Sequence, residues 1–116
     1  MELRISKKSR VDHAVVSVCG EIDLYTAPLL SGALADAVAC GGRTVVDMSG
    51  VEFCDSTGLG VLLSALKQAR GNGGELELAA PQPAVRRILE ITGLDEVFTV
   101  HDAVDVPAAA ATGAAQ

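Results

Sequence analysis

The chain is 116 residues long, enough for one domain with a proper core and too short for two. Hydrophobic residues make up 49% and charged residues 21%, a globular balance that excludes a disordered chain. A formal net charge of −6 and aromatics limited to Tyr25, Phe53 and Phe98 argue against nucleic acid or an anionic membrane as a direct partner.

Taken in order, Leu3 to Lys7 and Ala14 to Cys19 read as short strands joined by a hairpin turn over Ser9 to His13. Thr26 to Ala39 is expected to be the first helix, with Pro28 tolerated in its first turn and Leu30, Leu34 and Val38 on one face. Thr44 to Asp47 is expected to be a short buried strand. Thr57 to Arg70 carries apolar residues at helical spacing and ends at Gly71-Asn72-Gly73-Gly74. Glu75 to Ala79 alternates acidic and apolar residues, which places this strand nearer a sheet edge than Val45-Val46.

A third helix is expected from Pro83, with Val85, Ile88 and Leu89 inward and Gly93 as a left-handed C-cap, Leu94 folding back behind it. Val97 to Val100 reads as the last strand and Asp102 to Val106 as a helical turn. The domain then covers residues 1–106, and the Ala-rich tail 107–116 is expected to be flexible, frayed over Ala108 to Gln116. Strand and helix alternation means an α/β fold with parallel pairing and right-handed crossovers.

The most informative stretch is Cys54-Asp55-Ser56-Thr57-Gly58-Leu59-Gly60, where a strand hands over to an amphipathic helix. Ser56 falls at or next to the N-cap, where free backbone N–H groups and the positive end of the helix dipole accept an anion. Plain helix capping explains this stretch equally well when it is taken alone. Upstream, Gly20-Glu21-Ile22-Asp23 is followed by Thr26-Ala27-Pro28. These two motifs, with Gly73-Gly74-Glu75-Leu76 and Thr92-Gly93-Leu94, resemble the anti-sigma factor antagonists of the STAS family from about Ile5 to Val100.

The resemblance narrows the fold to a mixed, mainly parallel sheet of four or five strands, its helices stacked mainly on one side and the first strand at its edge. It also implies a partner switch. The unphosphorylated protein would bind an anti-sigma factor that is a serine/threonine kinase of the GHKL ATPase type, and so release a sigma factor. Phosphorylation of Ser56 would end that interaction, and a PP2C-type phosphatase would reset it. Glu21, Asp23, Asp55, Ser56, Thr57 and Gly58 are the expected partner-binding residues. Alternation about Ile22 points Glu21 and Asp23 to solvent; taken alone these two acids serve equally well as caps of the loop into the first helix, and the resemblance favours partner contact. Thr57 stands where many members have a second serine, which raises the question of a secondary phosphosite. A STAS adaptor subunit of a larger assembly, such as a transporter complex, is the alternative, although an adaptor has no need of a phosphoacceptor.

Enzymatic readings are poor. Ser56 lacks the first glycine of a Gly-x-Ser-x-Gly elbow, and the only histidines, His13 and His101, read as surface residues. Gly71, Gly73 and Gly74 follow a helix rather than a strand, so they form a cap and not a phosphate loop. Asp23, Asp47 and Asp55 converging at one sheet end would make a metal site, but carboxylates are common at strand ends. No catalytic residue, cofactor or metal is expected. Cys19, Cys40 and Cys54 are odd in number, without a Cys-x-x-Cys pair, and Cys19 and Cys54 read as small core residues. The absence of an apolar run of roughly 18 residues, and an N-terminus without a signal-peptide core, fit a reduced cytoplasmic protein.

Overall fold

Alternation along the strands decides which residues meet the helices. In β2 (Ala14–Ile22), Val16 and Val18 are buried on one face while Cys19 is exposed on the other. The computed structural model describes residues 2–104. Its other elements are β1 (Leu3–Ser9), α1 (Ala27–Val38), β3 (Arg43–Cys54), α2 (Ser56–Gly71), β4 (Glu75–Ala79), α3 (Pro83–Thr92), α4 (Leu94–Val97) and β5 (Val100–His101). The five strands form one sheet in the order β1-β2-β3-β4-β5, with β1 antiparallel to β2 and the other pairs parallel.

Each crossover advances the sheet by one strand in the same direction, so right-handed connections put the helices on one face. Burial agrees: Leu30 and Leu34 of α1, Leu62 and Leu66 of α2, and Val85 and Leu89 of α3 join Val16, Val18, Val46, Met48, Leu76 and Leu78 in one core. The expected mainly parallel sheet, with the first strand at its edge and β4 outside β3, is present. Gly93 closes α3 at φ 78°, as the left-handed cap expectation required.

Several boundaries differ. The strand expected over Thr44 to Asp47 runs on to Cys54, because irregularities in register, one of them at Gly50, keep it paired with β2. A side chain at Gly50 would collide with Cys19 Sγ and Val18 O. The chain after Gly93 turns once more as α4 before Phe98 enters the core, so the last strand is Val100–His101 rather than Val97 to Val100. Residues 102–104 form a bend; the remainder of the helical turn expected over Asp102 to Val106, and the tail 107–116, lie outside the described residues. Cys19 is exposed rather than in the core, on the face away from the helices, and Cys54 is buried as expected.

The histidines are not surface residues. His13 Nδ1 lies 2.6 Å from Asp12 Oδ1, and His101 Nε2 lies 2.7 Å from Glu77 Oε1. Arg43 donates to the same Glu77 oxygen from Nε at 3.1 Å and from Nη2 at 2.8 Å, which ties β3, β4 and β5 together. Burial raises the Glu77 carboxyl, but the hydrogen bonds and charges of Arg43 and His101 outweigh it, and the net direction is down. A carboxylate lowered in the folded state adds stability above its unfolded value; that stability is lost as pH falls through the folded value. Glu77→Gln is expected to cost about 1–3 kcal/mol near neutral pH, and to lose less stability on acidification than the unsubstituted protein. Thermal melts at neutral and acidic pH measure both; equal acid sensitivity would contradict the role given to Glu77.

Candidate functional site

The C-terminal ends of β2 and β3 lie side by side, Glu21 level with Phe53 and Ile22 with Cys54. Asp55 N donates to Ile22 O at 3.1 Å, and the chain enters α2 at the next residue. Asp55, in extended conformation, is the N-cap: its Oδ1 accepts from Gly58 N at 3.0 Å. Ser56 is therefore the first residue of the helix, and it is exposed. Its hydroxyl makes no hydrogen bond among the described residues, in contrast to Ser49, whose Oγ donates to Asp47 Oδ1 at 2.7 Å.

Thr57 is half-buried and Gly58 buried. A methyl group placed on Gly58 would lie 2.5 Å from Ile22 Cγ2 and 2.7 Å from Cys54 Sγ. Only a glycine lets the first turn of α2 sit this close to the strand ends, and that contact fixes where Ser56 stands. Beneath it, burial and then the charge of Asp55 push the Cys54 thiol up to about 12, so it stays protonated and is no nucleophile.

Asp23 corrects an expectation. It is 8% exposed, not solvent-facing. Its Oδ1 accepts from Tyr25 N at 2.9 Å and from Thr26 N at 3.0 Å. Thr26 Oγ1 in turn accepts from Asp23 N at 2.9 Å and donates to Glu21 O at 2.8 Å. This carboxylate is committed to building the turn between β2 and α1. Glu21, half-buried, remains at the strand end beside Phe53. Asp47 does not join the group: it lies level with Ser17, back along the sheet. Among the described residues no cluster of three or more His, Cys, Asp or Glu is arranged to hold a metal ion.

The turn that Asp23 builds pushes two apolar side chains outward, Leu24 at 65% and Tyr25 at 83% exposure. Phe53, on the neighbouring strand end, is 49% exposed. An apolar rim thus flanks the strand ends from which Ser56 emerges. These three residues went unrecognised in the sequence, where Leu24-Tyr25 falls between the second strand and the helix from Thr26, and Tyr25 and Phe53 count only as scarce aromatics. The signal was there: two large apolar residues in a loop, outside any period, with Pro28 close behind.

Comparison with known proteins adds independent observations. A family model described as the STAS domain matches residues 4–106. The chain belongs to the STAS domain family. An anti-sigma-B factor antagonist of Listeria monocytogenes is 38% identical over 104 residues, covering 88% of this chain and 91% of the relative. The crystal structure of an anti-sigma factor antagonist from Mycobacterium paratuberculosis superposes with TM-score 0.82 at 35% identity, covering 90% and 89% of the two chains. The Bacillus cell fate determinant SpoIIAA in its phosphorylated form shares the fold, with TM-score 0.64 at 19% identity over 84% of this chain and 90% of that one. In this STAS domain the two motifs that carried the resemblance, Gly20 to Asp23 and Asp55 to Gly58, meet at adjacent strand ends. No helix among the described residues is long and apolar enough to cross a membrane.

The hydrogen bonds of Asp23 give a prediction. Asp23→Asn keeps the accepting oxygen and is expected to melt within a few degrees of the unsubstituted protein. Asp23→Ala loses both backbone partners and is expected to cost about 1–2 kcal/mol. Thermal melts of the two variants check this; equal melting temperatures for Ala and Asn would contradict the turn-building role.

Proposed function

We propose that this STAS domain is an anti-sigma factor antagonist. Its unphosphorylated form binds an anti-sigma factor kinase of the GHKL ATPase type, and phosphorylation of Ser56 breaks the complex; a PP2C-type phosphatase restores it. The observation that carries this reading is the free, exposed Ser56 hydroxyl at the start of a helix whose N-cap is already supplied by Asp55. Such a hydroxyl is open to modification without loss of an internal hydrogen bond. The family relatives named anti-sigma factor antagonists support the same role.

Physics favours a switch in binding over a switch in folding. A phosphoryl group adds roughly −1.5 to −2 charges and three acceptor oxygens. Within the protein, the N–H groups and dipole of the α2 N-terminus receive it. A partner seated on the Leu24, Tyr25 and Phe53 rim meets instead a dianion beside Glu21 and Asp55. Desolvating that charge at an apolar interface opposes binding. Glu21, Asp55, Ser56 and Thr57 belong to the contact surface. Asp23 and Gly58, both buried, are not the contacts that were expected but serve it by holding the Leu24-Tyr25 turn and the first turn of α2. In a competition assay, the unphosphorylated chain is expected to displace sigma factor from the cognate kinase. Failure to bind any GHKL-type anti-sigma factor encoded beside it, with the protein folded, would overturn the proposal.

A further inference from the structure

The basic residues are not evenly spread once the chain is folded. Arg4, Lys7, Lys8 and Arg10 are four of the nine Lys and Arg, and all four are exposed on or just beyond β1, an edge of the sheet with no strand beyond it among the described residues. The ion pairs made by arginine involve Arg43, Arg70 and Arg86, so these four cations carry no ion pair among the described residues. The remaining five Lys and Arg face fifteen Asp and Glu, so β1 is a basic edge on an acidic protein.

Beside this edge, between β1 and α1, runs a groove of about 310 Å³ lined by Ile5, Lys7, Val16, Leu29, Ala33 and Asp36. Leu29 is 57% exposed within it. Lysines on an edge strand guard against unwanted pairing, which accounts for charge but not for an apolar groove alongside. Pairing of β1 with β1 of a second copy would set cation against cation across the new ladder and is disfavoured.

We infer that the β1 edge is a docking site for an extended acidic segment of another protein, added as a sixth strand. Side chains of an added strand alternate between faces. On the helix face, the groove beside Ile5 and Leu29 takes apolar residues, Lys7 and Asp36 at its walls leaving it without net charge. On the opposite face, Arg4 and Lys8 take the acids. The segment therefore alternates acidic and apolar residues. This surface is separate from Ser56, and the inference stands or falls independently of the proposed switch.

The test is amide chemical-shift mapping on the ¹⁵N-labelled chain, titrated with a glutamate–valine alternating peptide of the seven-residue length of β1. A lysine–valine peptide of equal length is the control. The glutamate–valine peptide is expected to shift amides of β1 and of the first turns of α1, and the lysine–valine peptide to leave them in place. Arg4→Glu with Lys8→Glu is expected to weaken binding at least about tenfold. Leu29→Glu, an exposed change that spares the fold, is expected to weaken it through the groove alone. Equal response to both peptides, no shift at millimolar peptide, or shifts scattered over the surface would overturn the inference. So would β1 shifts that follow protein concentration alone, because a second copy would then be the occupant.

Discussion

Carrying phosphate on Ser56, the protein is expected to bind its anti-sigma factor kinase at least about tenfold more weakly than the unmodified form, with its melting temperature nearly unchanged. Tenfold corresponds to about 1.4 kcal/mol, a modest demand on a dianion placed at the edge of an apolar contact surface. The fold has no reason to object. Among the described residues Ser56 has no hydroxyl hydrogen bond to lose, Asp55 already caps the helix, and the modified oxygen lies at the positive end of α2. Ser56→Glu carries one charge in place of two and is expected to show a smaller loss of the same sign. Calorimetric titration of kinase into each form, beside thermal melts of the same preparations, separates binding from folding. A phosphorylated protein that melts much lower would place the switch in the fold and contradict this account.

Substituting the two glycines of the α2 first turns is expected to move stability in opposite directions. Gly58→Ala puts a methyl against Ile22 Cγ2 and Cys54 Sγ, both belonging to fully buried residues, and is expected to cost about 1–3 kcal/mol as overpacking. Gly60 is exposed, and a methyl there meets nothing within 4 Å. Gly60→Ala therefore gains only helix propensity, roughly 0.5–1 kcal/mol. For a domain of this size each kcal/mol shifts the melting temperature by about 4 °C or more, so the two variants separate clearly. Gly58→Ala is also expected to weaken kinase binding, because the first turn of α2 must rise off the strand ends and carry Ser56 with it. If both variants melt alike, the close approach at Gly58 does not hold α2 in place.

The elements that were legible in the sequence are those whose side chains repeat with a clean period. Leu30, Leu34 and Val38, or Leu59, Leu62 and Leu66, announce their helices because burial selects every third or fourth residue, and they are buried as expected. Gly93 announced its cap because the left-handed region is costly for other residues. What stayed hidden depends on contacts between distant segments. The length of β3 is set by register irregularities against β2, and nothing local in Met48 to Gly50 signals them. Cys19 looks like core by its neighbours, yet alternation beyond Val18 turns it outward. His101 looks like a terminal surface residue until β4 brings Glu77 to it.

The site was half legible. The place of Ser56 and Asp55 was legible because helix-start chemistry is local, and they stand together at the start of α2. Asp23 was located but misjudged as a contact: alternation about Ile22 suggested solvent, whereas the backbone N–H groups of Tyr25 and Thr26 engage its carboxylate in the loop into α1. The apolar rim was missed altogether, because exposure of Leu24, Tyr25 and Phe53 is a property of the finished surface.

The proposed switch rests on Ser56 as its phosphoacceptor. Incubation with the cognate kinase and ATP, followed by mapping of the modified residue by mass spectrometry, tests it most directly. Phosphate is expected on Ser56, with no labelling of Ser56→Ala, whose far-ultraviolet circular dichroism stays that of the unsubstituted protein. Phosphate on Thr57 or Ser49 with Ser56 unmodified would contradict it.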